Sequence, residues 1–132
     1  MSYLLHTDTC VSIIRNAQPM QQHFTQALPA TQVSVISVTG LELWLLRPRT
    51  PLRYRQAFFA FQQLVTLVDV NEPIAHRAAM LAHSFRSQGR RIGLADLLIA
   101  ASAVENQWTL VTHSTSRFTN IPGLTIIDWN IP

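Results

Sequence analysis

One stretch, Gly93 to Ser114, limits what this chain can fold into more than any other. Its first half carries Leu94, Leu97, Leu98, Ile99, Ala100, Ala101, Ala103 and Val104, a helix apolar on almost every side. Such a helix lies inside a domain. After a break at Asn106-Gln107 the chain resumes as a buried strand from Thr109 to Val111. Within the first helical turn sits Asp96, a carboxylate where charge is otherwise excluded. Two readings are open. An acid there faces the positive end of the helix dipole and accepts from unpaired amides. Alternatively, beside a strand end carrying Thr112, His113 and Ser114, it is one wall of an acidic metal pocket.

The remaining chain bounds the choice. With 132 residues it is long enough for one well-cored domain, 1–132, and no second is expected. Its apolar residues come in short runs, so no membrane span is expected, and the opening Met1-Ser2-Tyr3-Leu4-Leu5-His6 does not read as a signal peptide. A cytoplasmic location follows as the expectation. The single cysteine, Cys10, excludes an internal disulfide framework and a cysteine-based zinc site. It reads as a small core residue, with a catalytic thiol paired to His6 as the alternative. All ten basic side chains are arginine, concentrated in 47–55 and 77–91, and the formal net charge is +3. Guanidinium forks suit phosphate, hence nucleic acid, although the same residues can solvate a surface or meet an acidic protein.

Read in order, Tyr3-Leu4-Leu5 is a strand, and a helix follows with Asp8 or Thr9 as its N-cap. Pro19 to Leu28 is a second helix, and Gln32 to Ser37 a strand rich in β-branched residues. Thr39 and Glu42 stand at capping-box spacing for the next helix, which would turn Glu42 back onto its own helix start. Leu52 to Val68 is an amphipathic helix whose apolar stripe is wide enough to meet a partner as well as a core. Val68 to Val70 is a strand, Glu72 to Ser87 a helix stopped by Gly89, and Gly123 to Ile127 a last strand. Strands alternating with helices predict an α/β sandwich on a mainly parallel sheet, with its site at the strand C-terminal ends. His6, Glu42 and Thr112-His113-Ser114 can converge there with Asp96.

These residues resemble the PIN-domain family, and within it the small VapC-type toxins of bacterial toxin–antitoxin pairs. The likeness runs through Tyr3 to Cys10, Ser37 to Leu43, Arg86 to Gly93, Asp96 to Ala101, Leu110 to Thr112, Pro122 to Leu124 and Asp128-Trp129. It implies a three-layer α/β/α sandwich, a Mg²⁺- or Mn²⁺-dependent endoribonuclease acting on RNA, a homodimer, and a VapB-type antitoxin whose tail enters the active-site groove. It also implies four acidic positions, whose clustered carboxylates would bind a hard divalent ion. Glu42 and Asp96 match two of them, as catalytic residues and metal ligands. The first position holds His6, and Asp8 stands where the family often has asparagine. The closing Thr-Asn-Asn and its following acid read Thr112-His113-Ser114 and Arg117 here. Thr7, Thr112, His113, Ser114 and Arg117 would line the site.

The departures have a physical consequence. Exchanging two acids for imidazole and guanidinium leaves a pocket close to charge balance with little need of Mg²⁺. His6 would act as a built-in cation with a raised pKa, or, neutral, join Glu42 and Asp96 around Mn²⁺ or Zn²⁺. Asp8 reads as a third ligand or as a helix cap. Two functions compete: a ribonuclease with a weak or altered activity, and a PIN fold kept for binding an antitoxin or RNA. A flavodoxin-like small-molecule binder is a third, but no glycine-rich phosphate loop supports it.

Overall fold

A computed structural model describes residues 1–131. The elements run β1 (Tyr3–Leu5), α1 (Thr7–Ile14), α2 (Met20–Ala27), β2 (Thr31–Ser34), α3 (Val35–Leu45), α4 (Leu52–Leu64), β3 (Thr66–Val68), α5 (Glu72–Ser87), α6 (Leu94–Asn106), β4 (Thr109–Val111), a 3-10 turn (Thr115–Phe118) and β5 (Thr125–Ile127). Five strands form one sheet in the order β3-β2-β1-β4-β5, and every pair is parallel. Parallel strands need crossovers, and the helices supply them on both faces. Side chains alternate accordingly. Leu4 and Leu110 enter the core beneath α5 and α6, whereas Leu5 and Val111 enter the one beneath α1 to α4. The expected three-layer α/β/α sandwich is present.

The site's position follows from the strand order. From β1 the chain steps one way to β2, while β4 lies on β1's other side, so the direction of winding reverses between β1 and β4. Crevices at such reversals, at the strand C-terminal ends, are where ligands bind in open α/β sheets. Leu5 pairs with Val111, and the His6 amide donates to the Val111 carbonyl at 2.9 Å. His6 and Thr112 therefore leave the sheet side by side.

Several boundaries differ from the sequence reading. β2 ends at Ser34, whose hydroxyl accepts from the Ile36 amide and starts α3 there, so β-branched Val35 and Ile36 are helical. Capping chemistry overrides their strand propensity. Thr39 thus lies inside α3 with its hydroxyl on the Val35 carbonyl, and the capping box with Glu42 does not form. α4 stops at Leu64, and β3 occupies 66–68, not 68–70. α1 begins at Thr7 with His6 as its N-cap residue, ahead of the expected Asp8 or Thr9. α6 buries Leu97 and 99–103, but Leu94 at its start is 70% exposed, so the helix is not enclosed at its N-terminal end.

Candidate functional site

Two strand ends and two helix starts meet at the winding reversal. His6 closes β1, Asp8 lies in the first turn of α1, Thr112 to Ser114 leave β4, and Asp96 lies in the first turn of α6. The His6 ring is almost wholly buried, edge-on to Phe118 with centroids 5.2 Å apart. Its Nε2 is 2.8 Å from Asp96 Oδ1, and its Nδ1 is 3.1 Å from Asp8 Oδ1 and 3.0 Å from Thr112 Oγ1. With carboxylates on both sides, both ring nitrogens donate and the imidazolium is the form that fits. Burial alone lowers the pKa of this ring. The hydrogen bonds and charges of Asp8 and Asp96 outweigh it and raise the pKa to about 9.

Both acids are held ionised. Hydrogen bonding to His6 lowers the Asp96 pKa against the opposing effect of burial, and the charges of His6 and Arg117 lower it further. Burial would raise the Asp8 pKa, but His6 overcomes it and brings it well below the usual carboxylate range. Asp96 Oδ2 accepts from Arg117 Nη1 at 2.8 Å, so each Asp96 oxygen faces a cation. Asp8 does not cap its own helix. Its Oδ2 accepts from Thr112 Oγ1 at 3.0 Å, Ser114 Oγ at 3.1 Å and the His113 amide at 3.2 Å, so it fixes the loop after β4.

The formal charges of His6, Arg117, Asp8 and Asp96 cancel. Glu42 stands apart: it makes no hydrogen bond or ion pair to this cluster, and its charged partner among the described residues is Arg55 at 3.6 Å. Thr7 lies between the two regions, donating to Ser37 Oγ at 3.0 Å. A Cβ on Gly40 would meet Thr7 Cγ2 at 3.1 Å, so a larger residue at 40 would press on the Thr7 methyl where α3 approaches α1. Asp96, Thr7 and Gly40 share the wall of a mostly apolar cavity of about 390 Å³ between α3 and α6.

These side chains, as arranged, do not fit a hard divalent ion. Such an ion takes several free oxygen ligands, yet both Asp96 oxygens face internal cations and those of Asp8 accept from neighbouring donors. Among the described residues, no three His, Cys, Asp or Glu side chains are grouped to hold a metal. The thiol alternative also falls: Cys10 is fully buried with its Sγ toward the Leu5 carbonyl, and burial pushes its pKa up.

Two further residues join the site that the sequence reading did not single out. The His113 ring bridges Asp128 Oδ1, 3.0 Å from Nδ1, and Ser12 Oγ, 3.0 Å from Nε2. Asp128 as acceptor places a proton on Nδ1, and Nε2 faces the Ser12 hydroxyl. The chain of contacts ties the end of β5 to α1. Both residues carried a signal, since Asp128 follows a strand directly and Ser12 lies four residues after Asp8 on the same helix face.

The family model for the PIN domain matches residues 3–124. Ribonuclease VapC1 of Haemophilus influenzae is 29% identical over 98% of both chains. Among solved structures, VapBC-1 from nontypeable Haemophilus influenzae aligns with a TM-score of 0.79 at 28% identity, covering 98% of each chain. The DNA-bound VapBC from Salmonella typhimurium aligns with a TM-score of 0.89 at 23% identity, again over 98% of both, a likeness of fold.

Proposed function

The chain belongs to the PIN-domain family, and from that premise we propose that it is a single-domain ribonuclease toxin of the VapC kind, with RNA as substrate and an antitoxin protein as partner. The observation that carries this reading is the convergence of Asp8 and Asp96 at the winding reversal of a parallel sheet, in a chain that matches a ribonuclease along 98% of its length. The relatives solved as VapBC support a VapB-type protein partner here. A homodimer and a cytoplasmic location belong to the same reading. No helix among the described residues is long and apolar enough to cross a membrane.

His6 and Arg117 occupy two positions that are acidic in the family pattern. In this reading they make the activity weaker than that of an all-carboxylate pocket, or altered. Asp96 and Glu42 remain the residues on which cleavage depends, with His6 and Asp8 holding Asp96 and the loop after β4 in place. One observation favours the second reading, a PIN fold kept for binding: both Asp96 oxygens are already held at 2.8 Å by His6 and Arg117.

The test is cleavage of a mixed RNA pool by the purified protein with Mg²⁺, with Mn²⁺ or with chelator, beside a Glu42→Gln/Asp96→Asn control. Slow cleavage that is lost in the control is the expected result, and similar rates with Mg²⁺, with Mn²⁺ and in chelator would agree with carboxylates already neutralised inside the protein. No cleavage by the natural chain, with cleavage restored in His6→Asp/Arg117→Glu, would select the binding reading instead.

A further inference from the structure

Between the end of α5 and the start of α6 lies a cavity of about 480 Å³ whose walls include Phe85, Arg86, Arg90, Arg91, Ile92 and Leu97. We propose that this cavity is a phosphodiester-binding site that holds single-stranded RNA beside Asp96 without a divalent ion. The inference rests on RNA being the ligand class of the neighbouring pocket, and adds where the backbone is gripped and by which residues.

Three features carry it. The first is unpaired charge. Arg86 and Arg91 are exposed and make no side-chain hydrogen bond or ion pair to any described residue, in contrast to Arg55, Arg77 and Arg117, which each meet a carboxylate. The second is preorganisation. Arg90 lies over the Phe85 ring with its Cζ 4.2 Å from the centroid and donates Nη2 to the Thr119 carbonyl at 2.8 Å. One face and one edge of its guanidinium are thereby fixed, which lowers the ordering cost of binding. Gly89, at φ +69, makes the turn, and the Arg90 amide back-bonds to the Phe85 carbonyl, so the end of α5 is closed and its carbonyls do not compete for the arginines.

The third feature is the absence of repulsion. Arg90 is tied to Thr119, two residues after the Arg117 that holds Asp96, so one short segment borders both the arginine cavity and the acid pocket. An acid pocket with open carboxylates would repel a phosphate there. Here Asp96 is met at 2.8 Å by both His6 and Arg117, and the phosphate meets a neutral pocket with three guanidiniums behind it. Guanidinium forks match phosphate oxygens in pairs, and the apolar wall from Ile92 and Leu97 suits a sugar.

The experiment is fluorescence anisotropy of a short labelled single-stranded RNA with the full chain in chelator, over a series of salt concentrations. Arg86→Ala/Arg91→Ala should weaken binding about tenfold and lower the slope of log affinity against log salt by about 1.4, two phosphate contacts on a single strand. Arg15→Ala/Arg53→Ala, with the same change in net charge elsewhere, should change affinity less than about twofold. Equal losses in the two variants overturn the site while leaving RNA as the ligand. No RNA binding by the natural chain overturns the site and the RNA reading together. Displacement by polyglutamate as effective as by unlabelled RNA overturns it in favour of an acidic protein segment.

Discussion

Asp96 and Glu42 sit on α6 and α3, two helices that pack against each other, yet they live in different electrostatic settings. Asp96 has a side chain only 19% exposed and is gripped from two directions at 2.8 Å. Glu42 is 47% exposed and meets one equally exposed arginine at 3.6 Å. A carboxylate's availability is set by its partners as much as by its place in the fold. The charge of Asp96 is neutralised inside the protein and contributes to stability, whereas that of Glu42 remains open to whatever enters from solvent.

The largest expected effect breaks the gripped side. A His6 pKa raised from 6.5 to about 9 means that the imidazolium's contribution is complete below about pH 6.5 and is lost as pH rises through about 9. The depressed Asp8 and Asp96 act in the opposite sense, present above their ordinary range near 3.8 and lost as pH falls through their lowered values. The network therefore stabilises most between about pH 4 and 6.5. His6→Gln, which keeps volume but not charge, should cost about 3 kcal/mol near pH 6 by urea denaturation and much less above pH 9. A difference between the two proteins that does not change with pH would mean that His6 acts by packing against Phe118 alone.

A smaller effect inverts the comparison by opening Asp96. In His6→Asp/Arg117→Glu four carboxylates would crowd the winding reversal, and repulsion should be relieved by Mg²⁺. Saturating Mg²⁺ is expected to raise the Tm of the double variant by roughly 5 °C, against less than about 1 °C for the natural chain. A folded variant whose Tm ignores Mg²⁺ would show that charge balance is not what closes the pocket to metal.

What the sequence could reveal divides along the same line. The parallel sandwich was legible because β1, β4 and α6 carry near-continuous apolar runs that fit only an enclosed layer, and Asp96 was legible as the one charge in such a run. Its partners were partly legible, since His6, Asp8 and Thr112 each follow a strand end. The pairing of His113 with Asp128 and Ser12 was not, because it joins three loop or helix positions through a ring whose direction no local pattern fixes. The separation of Glu42 from the Asp96 cluster was not legible for a related reason. Val35 and Ile36 read as strand, which placed the start of α3 too late and Glu42 too near the sheet edge; the Ser34 cap moved that start forward by more than a turn.

The smallest expected effect on stability is also the most discriminating for function. The Glu42–Arg55 pair is long and half exposed on both sides, so Glu42→Gln should change stability by less than about 0.5 kcal/mol, and by nothing measurable in high salt. Asp96→Asn, by contrast, removes the charge shared by His6 and Arg117 and turns one of its two accepting oxygens into a donor, and should lower stability at neutral pH as well as any cleavage. If both acids serve RNA hydrolysis, Glu42→Gln loses cleavage while its urea midpoint stays put. That separation of activity from stability is what a reactive carboxylate held in reserve would show. A Glu42→Gln protein that cleaves as the natural chain does would instead make Glu42 an ordinary solvated residue of α3, and would leave the neutralised pocket around Asp96 to account for any chemistry by itself.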